Sequence, residues 1–320
     1  MQRIVTLTLN PAVDLSWDAP HVQPTHKIRT TNEQYDPGGG GLNVARVIHT
    51  LGGDATAILL VGGVIGYLLR DLMAQAGVPC RVIPIAGRTR LCVAVHDRSD
   101  NAEYRFVAEG PEVTKGEWQS ALKAIDTARA DWIVASGSLP RGVPEDFYAD
   151  LARRNAASGR KFVLDTSGPP LKAALGQGLA LIKPSLGEFE ALVGCKLPEP
   201  RLQAEAALDL VRRGAAGMIV VSLGAQGALL ATPNGTIRLA SPTIEIRSAV
   251  GAGDSFVAGM TLALARGRTP EDALAYGIAT GTSAVAHVGT ARPDPEQVAA
   301  LYGVITGQPE AGDRDCSAGI

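Results

Sequence analysis

Short aliphatic runs alternate with stretches of helical periodicity along most of the chain, and this alternation limits the possible folds more than any other feature. The alternation predicts an α/β protein whose mostly parallel sheet carries helices on both faces. The predicted strands are Ile4–Leu9, Thr56–Val61, Trp132–Ala135, Lys161–Leu164, Leu179–Ile182 and Gly217–Ser222. The predicted helices are Leu42–Leu51, Tyr67–Gln75, Glu145–Asn155, Gly187–Val193 and Ala204–Arg213.

Two segments interrupt the alternation. Leu15–Tyr35 and Thr89–Val107 read as extended chain of mixed polarity, and they fit a small β-sheet beside the main domain. We therefore expect one main domain over residues 1–306 with segments 15–35 and 89–107 inserted in it. The polar end of the chain, residues 307–320, is predicted to be disordered.

Composition excludes several classes of function. Of the 320 residues, 46% are hydrophobic and only 4% aromatic, which allows an ample aliphatic core. The net charge of -2 gives no reason to expect a nucleic-acid or membrane partner. The start of the chain reads as a strand rather than a signal peptide, and no apolar run is long enough to cross a membrane. The four cysteines lie far apart with no Cys-x-x-Cys pair, so a cytoplasmic location is expected.

Two glycine clusters each lead into an apolar helical pattern. Gly38–Gly41 precedes Leu42–Leu51, and Gly251–Gly253 precedes a run that begins at Phe256. Glycines at the start of a helix let free backbone N–H groups converge on an anion, and the helix dipole adds positive potential. Asp254 would lie in the first turn of the second helix, where it could cap the helix or act as a general base beside a phosphoryl group.

These clusters carry a family resemblance. Gly38–Arg46 is similar to the N-terminal signature of the ribokinase-like sugar kinases, also called the PfkB family, and Val250–Phe256 is similar to their C-terminal signature. The resemblance extends over nearly the whole chain, from Thr6 to Thr290. It implies a ribokinase-like, doubly wound sheet with a small β-sheet lid over the sugar, and a homodimer formed through that lid.

One branch of the family is more similar than the rest. The run Thr8–Asp14 is typical of the phosphosugar branch, which includes 1-phosphofructokinase, tagatose-6-phosphate kinase and the minor 6-phosphofructokinase. Many members read Gly-Gly-Lys-Gly where this chain reads Gly38–Gly41, and the all-glycine form is similar to the minor 6-phosphofructokinase. So are the segments Tyr104–Val107, Ser136–Pro140 and Val221–Leu229.

The resemblance implies a role for particular residues on the sugar side. Asp254 matches the catalytic base, and the N–H groups of Gly251, Ala252 and Gly253 would stabilise charge on the transferred phosphoryl group. The sugar hydroxyls are expected against Asp14, Gly39, Gly40, Asn43 and Ser138. Turn or helix capping is the structural alternative for Asp14 and Asn43. Lys27 and Arg90 match positions that bind the phosphate of the substrate, with Arg29 and Arg105 as further candidates.

The resemblance also implies an ATP site. Lys183, Ser185 and Glu188 match the family's Asn-x-x-Glu motif, in which the Glu organises Mg²⁺ through water, although Ser185 stands where Asn is usual. Ser222, Gly224 and Gly227 match a nucleotide loop, and a hairpin turn is the compatible structural interpretation. Backbone carbonyls near Ser248, Val250, Ala284 and Gly289 resemble the K⁺ site of many members.

The function that the resemblance implies is ATP-dependent phosphorylation of fructose 6-phosphate to fructose 1,6-bisphosphate. The alternatives within the family are 1-phosphofructokinase and tagatose-6-phosphate kinase. A non-catalytic sugar-phosphate sensor on the same fold is an alternative of another class, although the base and the anion loop are intact. A nicotinamide dehydrogenase is rejected, because Asn10–Leu15 lacks the Gly-x-Gly-x-x-Gly that would follow the first strand.

Overall fold

The computed structural model describes residues 2–287 and 289–307. The strands are β1 (Ile4–Thr8), β2 (Ala12–Ala19), β3 (Thr31–Gly38), β4 (Ala55–Val61), β5 (Cys80–Pro84), β6 (Arg90–Asp97), β7 (Ala102–Val107), β8 (Trp132–Ser136), β9 (Lys161–Asp165), β10 (Leu181–Ile182), β11 (Met218–Ser222), β12 (Ala228–Thr232) and β13 (Gly235–Leu239). The α-helices are α1 (Gly40–Thr50), α2 (Gly63–Gln75), α3 (Lys115–Asp126), α4 (Phe147–Ala157), α5 (Gly168–Ala174), α6 (Leu186–Val193), α7 (Pro200–Arg212), α8 (Ala252–Ala265), α9 (Pro270–Val285) and α10 (Pro295–Thr306).

Nine strands form the main sheet in the order β13-β12-β11-β10-β9-β8-β1-β4-β5. Neighbouring strands are parallel from β5 to β11, and β12 and β13 are antiparallel additions at one edge. The order reverses at β1, because the chain continues to β4 on one side of it and later to β8 on the other. In an open sheet of this kind the ligand site lies at such a reversal, beyond the carboxyl ends of the strands.

Helices cover both faces of the main sheet, as the sequence predicts. Strand β4 shows why: Ala57 and Leu59 belong to one buried cluster, while Ile58 and Leu60 belong to the other. Successive residues of a strand face opposite sides, so a strand that is apolar throughout needs cover on both. Helices α1, α2, α8, α9 and α10 pack on one side, and α3 to α7 on the other.

A separate four-stranded sheet, which we call the lid, has the order β3-β2-β6-β7. Its central pair, β2 and β6, is parallel, and the outer pairs are antiparallel. One face carries polar residues, among them Asp14 and Asp36. The other face carries an apolar row across all four strands, formed by Tyr35, Leu15, Val93 and Phe106.

Most predicted elements are confirmed, with shifted ends. Helix α2 begins four residues before the predicted Tyr67, and the strand predicted at Leu179–Ile182 shortens to Leu181–Ile182. The sequence pattern does not predict helices α3, α5, α9 and α10 or strands β5, β12 and β13. Of the segment expected to be disordered, Gly307 ends α10, and residues 308–320 lie outside the described residues. None of the described helices combines the length and the apolar content needed to cross a bilayer.

Candidate active site

Asp254 lies in the first turn of α8, at the wall of a cavity of about 630 Å³. The turn that precedes it needs glycine: Gly251 has φ of 76°, and a Cβ there would lie 2.6 Å from that of Ala291. Gly251 is the N-cap of α8, and no side chain caps this helix. Asp254 therefore does not cap α8, and its carboxylate is available for another task.

Two side chains from other elements hold that carboxylate. The Asn43 amide, from α1, donates to Oδ2 of Asp254 at 2.9 Å. The hydroxyl of Ser136, at the end of β8, donates to Oδ1 at 3.2 Å. Burial raises the pKa of Asp254, and these hydrogen bonds and the charge of Lys183 oppose that increase. A carboxylate that is oriented at both oxygens and more basic than usual suits a general base.

A second carboxylate lies beside the first. Asp165, at the end of β9, approaches the Lys183 ammonium to 3.3 Å, and the Ser136 hydroxyl lies 3.4 Å from its Oδ2. Burial raises the pKa of Asp165 to about 6; Lys183 opposes this shift and Asp254 adds to it. Sequence reasoning identified Lys183 but missed Ser136 and Asp165. Their one signal is that each polar residue ends a buried parallel strand.

Lys183 also approaches the start of α8. A Cβ on Gly253 would lie 3.4 Å from the Lys183 ammonium, so this cation and the N-terminus of α8 are close neighbours. The first N–H groups of a helix have no partner within the helix, and both features attract anions. The arrangement can bind a phosphate group next to the Asp254 carboxylate.

The glycines at the start of α1 pack closely against other parts of the protein. A Cβ on Gly38 would lie 2.5 Å from the Asp14 carboxylate, while at Gly40 and Gly41 it would collide with the Ser136 hydroxyl and the Leu7 carbonyl. Gly39 has φ of 114° and is the N-cap of α1. Close packing of these glycines on β1, β2 and β8 accounts for the cluster without the approach of a ligand that the sequence suggests. The contacts of Gly39 and Gly40 with substrate stay a prediction.

Asp14 lies on the polar face of the lid, at a second cavity of about 660 Å³. The Thr290 hydroxyl donates to Asp14 Oδ2 at 3.3 Å, and the Thr290 N–H donates to Asp36 at the same distance. Burial raises the pKa of Asp14, while the Thr290 hydrogen bond and the charge of Arg105 oppose the shift. Asp14 therefore lies within a strand, where it lines this cavity and does not cap a turn.

The predicted phosphate ligands lie on different parts of the lid. Lys27 is exposed on the loop between β2 and β3 and has no hydrogen bond or ion pair in the described chain. Arg90 donates to the backbone carbonyls of Ala108, at 2.8 Å, and Asn10, at 2.9 Å. Arg105 lines the second cavity together with Asp14. Arg29 is exposed on the same loop as Lys27.

Ser138 and the nucleotide-loop residues lie near the ends of the strands. Ser138 lines the first cavity, and its hydroxyl accepts a hydrogen bond from Asn10 at 3.3 Å. Ser222 ends β11 and bonds through its N–H to the Pro184 carbonyl. Gly224 begins a short 3-10 helix, and Gly227 has φ of 92° where the chain enters β12. The hairpin interpretation is confirmed here, and it is compatible with nucleotide binding.

Comparison with known proteins decides the family. The model of the pfkB family carbohydrate kinases matches residues 7–297. The chain belongs to this family. It is 42% identical to the ATP-dependent 6-phosphofructokinase isozyme 2 of Mycobacterium tuberculosis, over 97% of this chain and 92% of that one. It is 33% identical to the 1-phosphofructokinase of Escherichia coli, over 96% of this chain and 99% of that one.

Solved structures of phosphofructokinase-2 from Escherichia coli have the same fold. Its complex with potassium superposes with a TM-score of 0.92 at 37% identity, over 96% of this chain and all of that one. Its complex with fructose-6-phosphate and its tetrameric inhibited form each superpose with a TM-score of 0.90 at 36% identity. The coverage is again 96% of this chain and all of that one. The predicted ribokinase-like fold with its separate small sheet is thus confirmed.

Glu188 and Ser185 form a capping box in this carbohydrate kinase. The Glu188 carboxylate accepts from the N–H and the hydroxyl of Ser185, each at 2.8 Å, at the start of α6. Glu188 also lines the first cavity with Asp165 and Asp254. Glu188 is therefore an acid in the first turn of α6 that caps its own helix, and the role toward Mg²⁺ expected from the sequence stays a prediction.

The loops expected to bind K⁺ do lie side by side. The N–H of Ser248 bonds to the Val285 carbonyl at 3.2 Å, and the N–H of Ala291 bonds to the Val250 carbonyl at 3.2 Å. The Ala284 carbonyl accepts from His287, and Gly289 lines the second cavity. A carbonyl with one such partner keeps a second lone pair.

Proposed function

We propose that this carbohydrate kinase transfers the γ-phosphoryl group of ATP to fructose 6-phosphate. The observation that carries the proposal is the Asp254 carboxylate, oriented by Asn43 and Ser136 next to the N-terminus of α8. In the proposed reaction Asp254 takes the proton of the sugar 1-hydroxyl. That oxygen then forms a bond to the γ-phosphorus as the bond to ADP breaks. The product is fructose 1,6-bisphosphate.

Each side of the site has its own task in this reaction. The sugar hydroxyls lie against Asp14 and Asn43, with Gly39, Gly40 and Ser138 close by. The phosphates of ATP lie on the first turn of α8, where the N–H groups of Gly251, Ala252 and Gly253 meet the Lys183 ammonium. Charge that develops on the γ-phosphoryl group is stabilised there by groups already in position. The adenosine extends toward Ser222, Gly224 and Gly227.

Mg²⁺ fits the carboxylates of the first cavity. Glu188 and Asp165 offer the hard oxygen ligands that Mg²⁺ prefers, and Ser185 has a hydroxyl for a metal-bound water. Among the described residues no cluster of three or more metal-ligating side chains exists. This suits an ion that keeps most of its waters and binds through the phosphates. Bound Mg²⁺ would neutralise charge on the triphosphate. We propose K⁺ at the carbonyls near Ser248, Val250, Ala284 and Gly289.

We further propose that Lys27 and Arg90 bind the phosphate that the substrate already carries. Both lie at the lid, and neither has a carboxylate partner in the described chain. Because Lys27 points into solvent in this protomer, it would reach a sugar through movement of its loop or from a second copy of the chain.

A homodimer formed through the lid is part of the proposal. The apolar row on the lid ends in Tyr35 and Phe106, which are 40% and 63% exposed. A half-covered apolar face of this kind is typical of an interaction surface. The free cysteines Cys80, Cys92 and Cys195 fit the reducing cytoplasm that we propose as the location.

The test is an ADP-release assay across five acceptors: fructose 6-phosphate, fructose 1-phosphate, tagatose 6-phosphate, fructose and ribose. We expect the highest kcat/KM with fructose 6-phosphate. A higher value with fructose 1-phosphate or tagatose 6-phosphate would give the function to that alternative. Absence of ADP release with all five, together with binding of a sugar phosphate, would favour a non-catalytic sensor.

A further inference from the structure

We infer that Arg46 is a positioning residue for the phosphoryl transfer: it orients the Asn43 amide, which in turn holds the Asp254 carboxylate. The inference rests on the proposed function. Arg46 and Asn43 are three residues apart on α1 and therefore share one face of the helix. Arg46 donates to Asn43 Oδ1 at 3.2 Å, and Asn43 Nδ2 donates to Asp254 at 2.9 Å.

The two partners of Asn43 allow only one orientation of its amide. A guanidinium group can only donate hydrogen bonds, and an ionised carboxylate can only accept them. If the amide turned over, its NH₂ group would meet the guanidinium and its oxygen would meet the carboxylate. Both hydrogen bonds would then be lost, and Asp254 would face a lone pair. Arg46 therefore selects the orientation in which Asn43 donates to the base.

Arg46 is itself fixed by the backbone of two other segments. The nitrogen that bonds to Asn43 also donates to the carbonyl of Pro37, at 3.1 Å, and to that of Thr290, at 3.4 Å. Burial lowers the pKa of Arg46, while the carboxylates of Asp36 and Asp14 favour its charged form. Arginine stays protonated in proteins, so the group acts as a permanent donor.

The same arginine links the base to the sugar side of the site. The backbone carbonyl of Thr290 accepts from Arg46, and the side-chain hydroxyl of Thr290 donates to Asp14, the residue proposed to bind the sugar. One chain of hydrogen bonds thus runs from Asp254 through Asn43, Arg46 and Thr290 to Asp14. A shift of Arg46 would move the base relative to the hydroxyl that it must deprotonate.

A second arginine of this region offers a matched control. Arg292 forms an ion pair with Asp36 but has no hydrogen bond to Asn43. Both arginines therefore support the buried Asp36 electrostatically, and only Arg46 touches the amide that holds the base. General loss of local stability is expected from either substitution, whereas loss of orientation is expected from Arg46 alone.

The experiment compares Arg46→Met, Arg46→Lys and Arg292→Met with the wild-type enzyme on fructose 6-phosphate. Displacement of a catalytic group by about 1 Å can cost roughly 100-fold in rate, so Arg46→Met is expected to lower kcat by roughly 10- to 100-fold. KM for ATP is expected to stay within about two-fold, because the contact is not made to ATP. Arg46→Lys keeps a donor and is expected to recover part of kcat. Arg292→Met is expected to keep kcat within about three-fold.

The pH profile gives a readout that altered stability does not reproduce. The hydrogen bond from Asn43 lowers the pKa of Asp254. Its loss in Arg46→Met raises that pKa, so the acid limb of kcat/KM moves to higher pH. The other charged groups that face Asp254, Lys183 and Asp165, are the same in wild type and variant.

A double-mutant cycle with Asn43→Ala decides whether Arg46 acts through Asn43. If it does, Arg46→Met adds little to the loss that Asn43→Ala already causes. Additive losses, a wild-type pH profile in Arg46→Met, or an equal loss of kcat in Arg292→Met would each overturn the inference. If Arg46→Met does not fold, Arg46→Gln is measured by the same criteria. An inactive wild-type enzyme would instead refute the proposed function.

Discussion

The proposed site has two halves that are built differently. One is the lid, and the other is the group of residues around Asp254, which we call the wall: Asn43, Ser136, Asp165, Glu188 and Asp254. At the wall, polar groups from α1, β8 and α8 meet in hydrogen bonds between neighbouring side chains. On the lid, β7 is exposed along most of its length, and Lys27 has no partner in the described chain. The wall is held together by hydrogen bonds within the described chain, whereas the lid presents groups, such as Lys27, that have no partner in the described chain.

This difference separates two requirements of a sugar kinase. Chemistry at the transferred phosphoryl group needs groups held to within a fraction of an ångström, and buried hydrogen-bonded networks provide that. Selection of a substrate and closure over it need groups that become ordered when the sugar or a second subunit arrives. We therefore expect substitutions at the wall to lower kcat and substitutions on the lid to raise KM or weaken assembly.

The largest effect is expected from Asp254→Asn, which keeps the size of the side chain and removes its basicity. Loss of a general base lowers kcat by roughly 10²–10⁴-fold. Steady-state kinetics on fructose 6-phosphate measure it, with thermal unfolding as the control for folding. Because burial raises the pKa of Asp254, the wild-type kcat/KM is expected to fall, as pH decreases, at a pH above the usual range of an aspartate. A folded Asp254→Asn enzyme with wild-type kcat would contradict the role of the wall.

The next effect tests the lid. If Arg90 binds the phosphate of the substrate as proposed, its removal deletes a charge-assisted hydrogen bond worth about 1.5–3 kcal/mol, or roughly 10- to 150-fold in affinity. Arg90→Ala is thus expected to raise KM for fructose 6-phosphate far more than KM for ATP. It is also expected to lower the ratio of kcat/KM for fructose 6-phosphate to kcat/KM for fructose.

Arg88→Ala is the matched control for Arg90→Ala, because Arg88 is an exposed arginine two positions earlier. Arg90 also binds the carbonyls of Ala108 and Asn10, so its loss can loosen the lid. A loosened lid would impair fructose and fructose 6-phosphate alike. Equal losses for both sugars would therefore assign Arg90 to lid structure and remove it from phosphate binding.

Glu188→Gln tests the wall on its ATP side. Glutamine can preserve the capping box with Ser185, so α6 is expected to stay folded. Loss of the charge is expected to raise the Mg²⁺ concentration for half-maximal rate by roughly 10- to 100-fold, the effect typical of groups that orient metal ligands. The same change in a second capping box, Glu117→Gln at α3, is the control. If the rate depends on Mg²⁺ concentration in the same way in both variants, Glu188 serves only to cap α6.

The sequence predicted the wall in part. Asp254, Asn43 and the glycines were found because each belongs to a local motif at the start of a helix. Ser136 and Asp165 were missed because their role depends on which strands are neighbours, and β8 and β9 reach Asp254 from 118 and 89 positions away along the chain. That arrangement follows from the strand order of the whole sheet, which a local pattern does not contain.

For the lid, the sequence predicted two extended segments in a small sheet, but neither the bounds of the four strands nor their pairing. The alternation in β2 of Asp14 and Ser16 with Leu15 and Trp17 indicates a strand with two unlike faces. The parallel pairing of β2 with β6, which aligns Leu15 with Val93, joins strands that lie far apart along the chain, so no local pattern predicts it. The same pairing brings Arg90 to the carbonyl of Asn10, a contact between backbone and side chain that leaves no trace in the sequence.

The smallest effect is expected from Phe106→Ala, which tests whether the lid is completed by a second copy of the chain. Burial of a whole phenylalanine side chain contributes about 1.5–3 kcal/mol, and covering the 63% of Phe106 that is exposed would contribute about two thirds of that. The dimer dissociation constant is expected to rise by roughly 5- to 30-fold. Sedimentation equilibrium at micromolar concentration measures it, with Val304→Ala, an exposed apolar residue on α10, as the control.

A wild-type enzyme that is monomeric under these conditions would remove the dimer, and Lys27 would then have to reach the sugar within its own protomer. A dimer weakened equally by both substitutions would place the interface elsewhere and leave the apolar row of the lid without a partner.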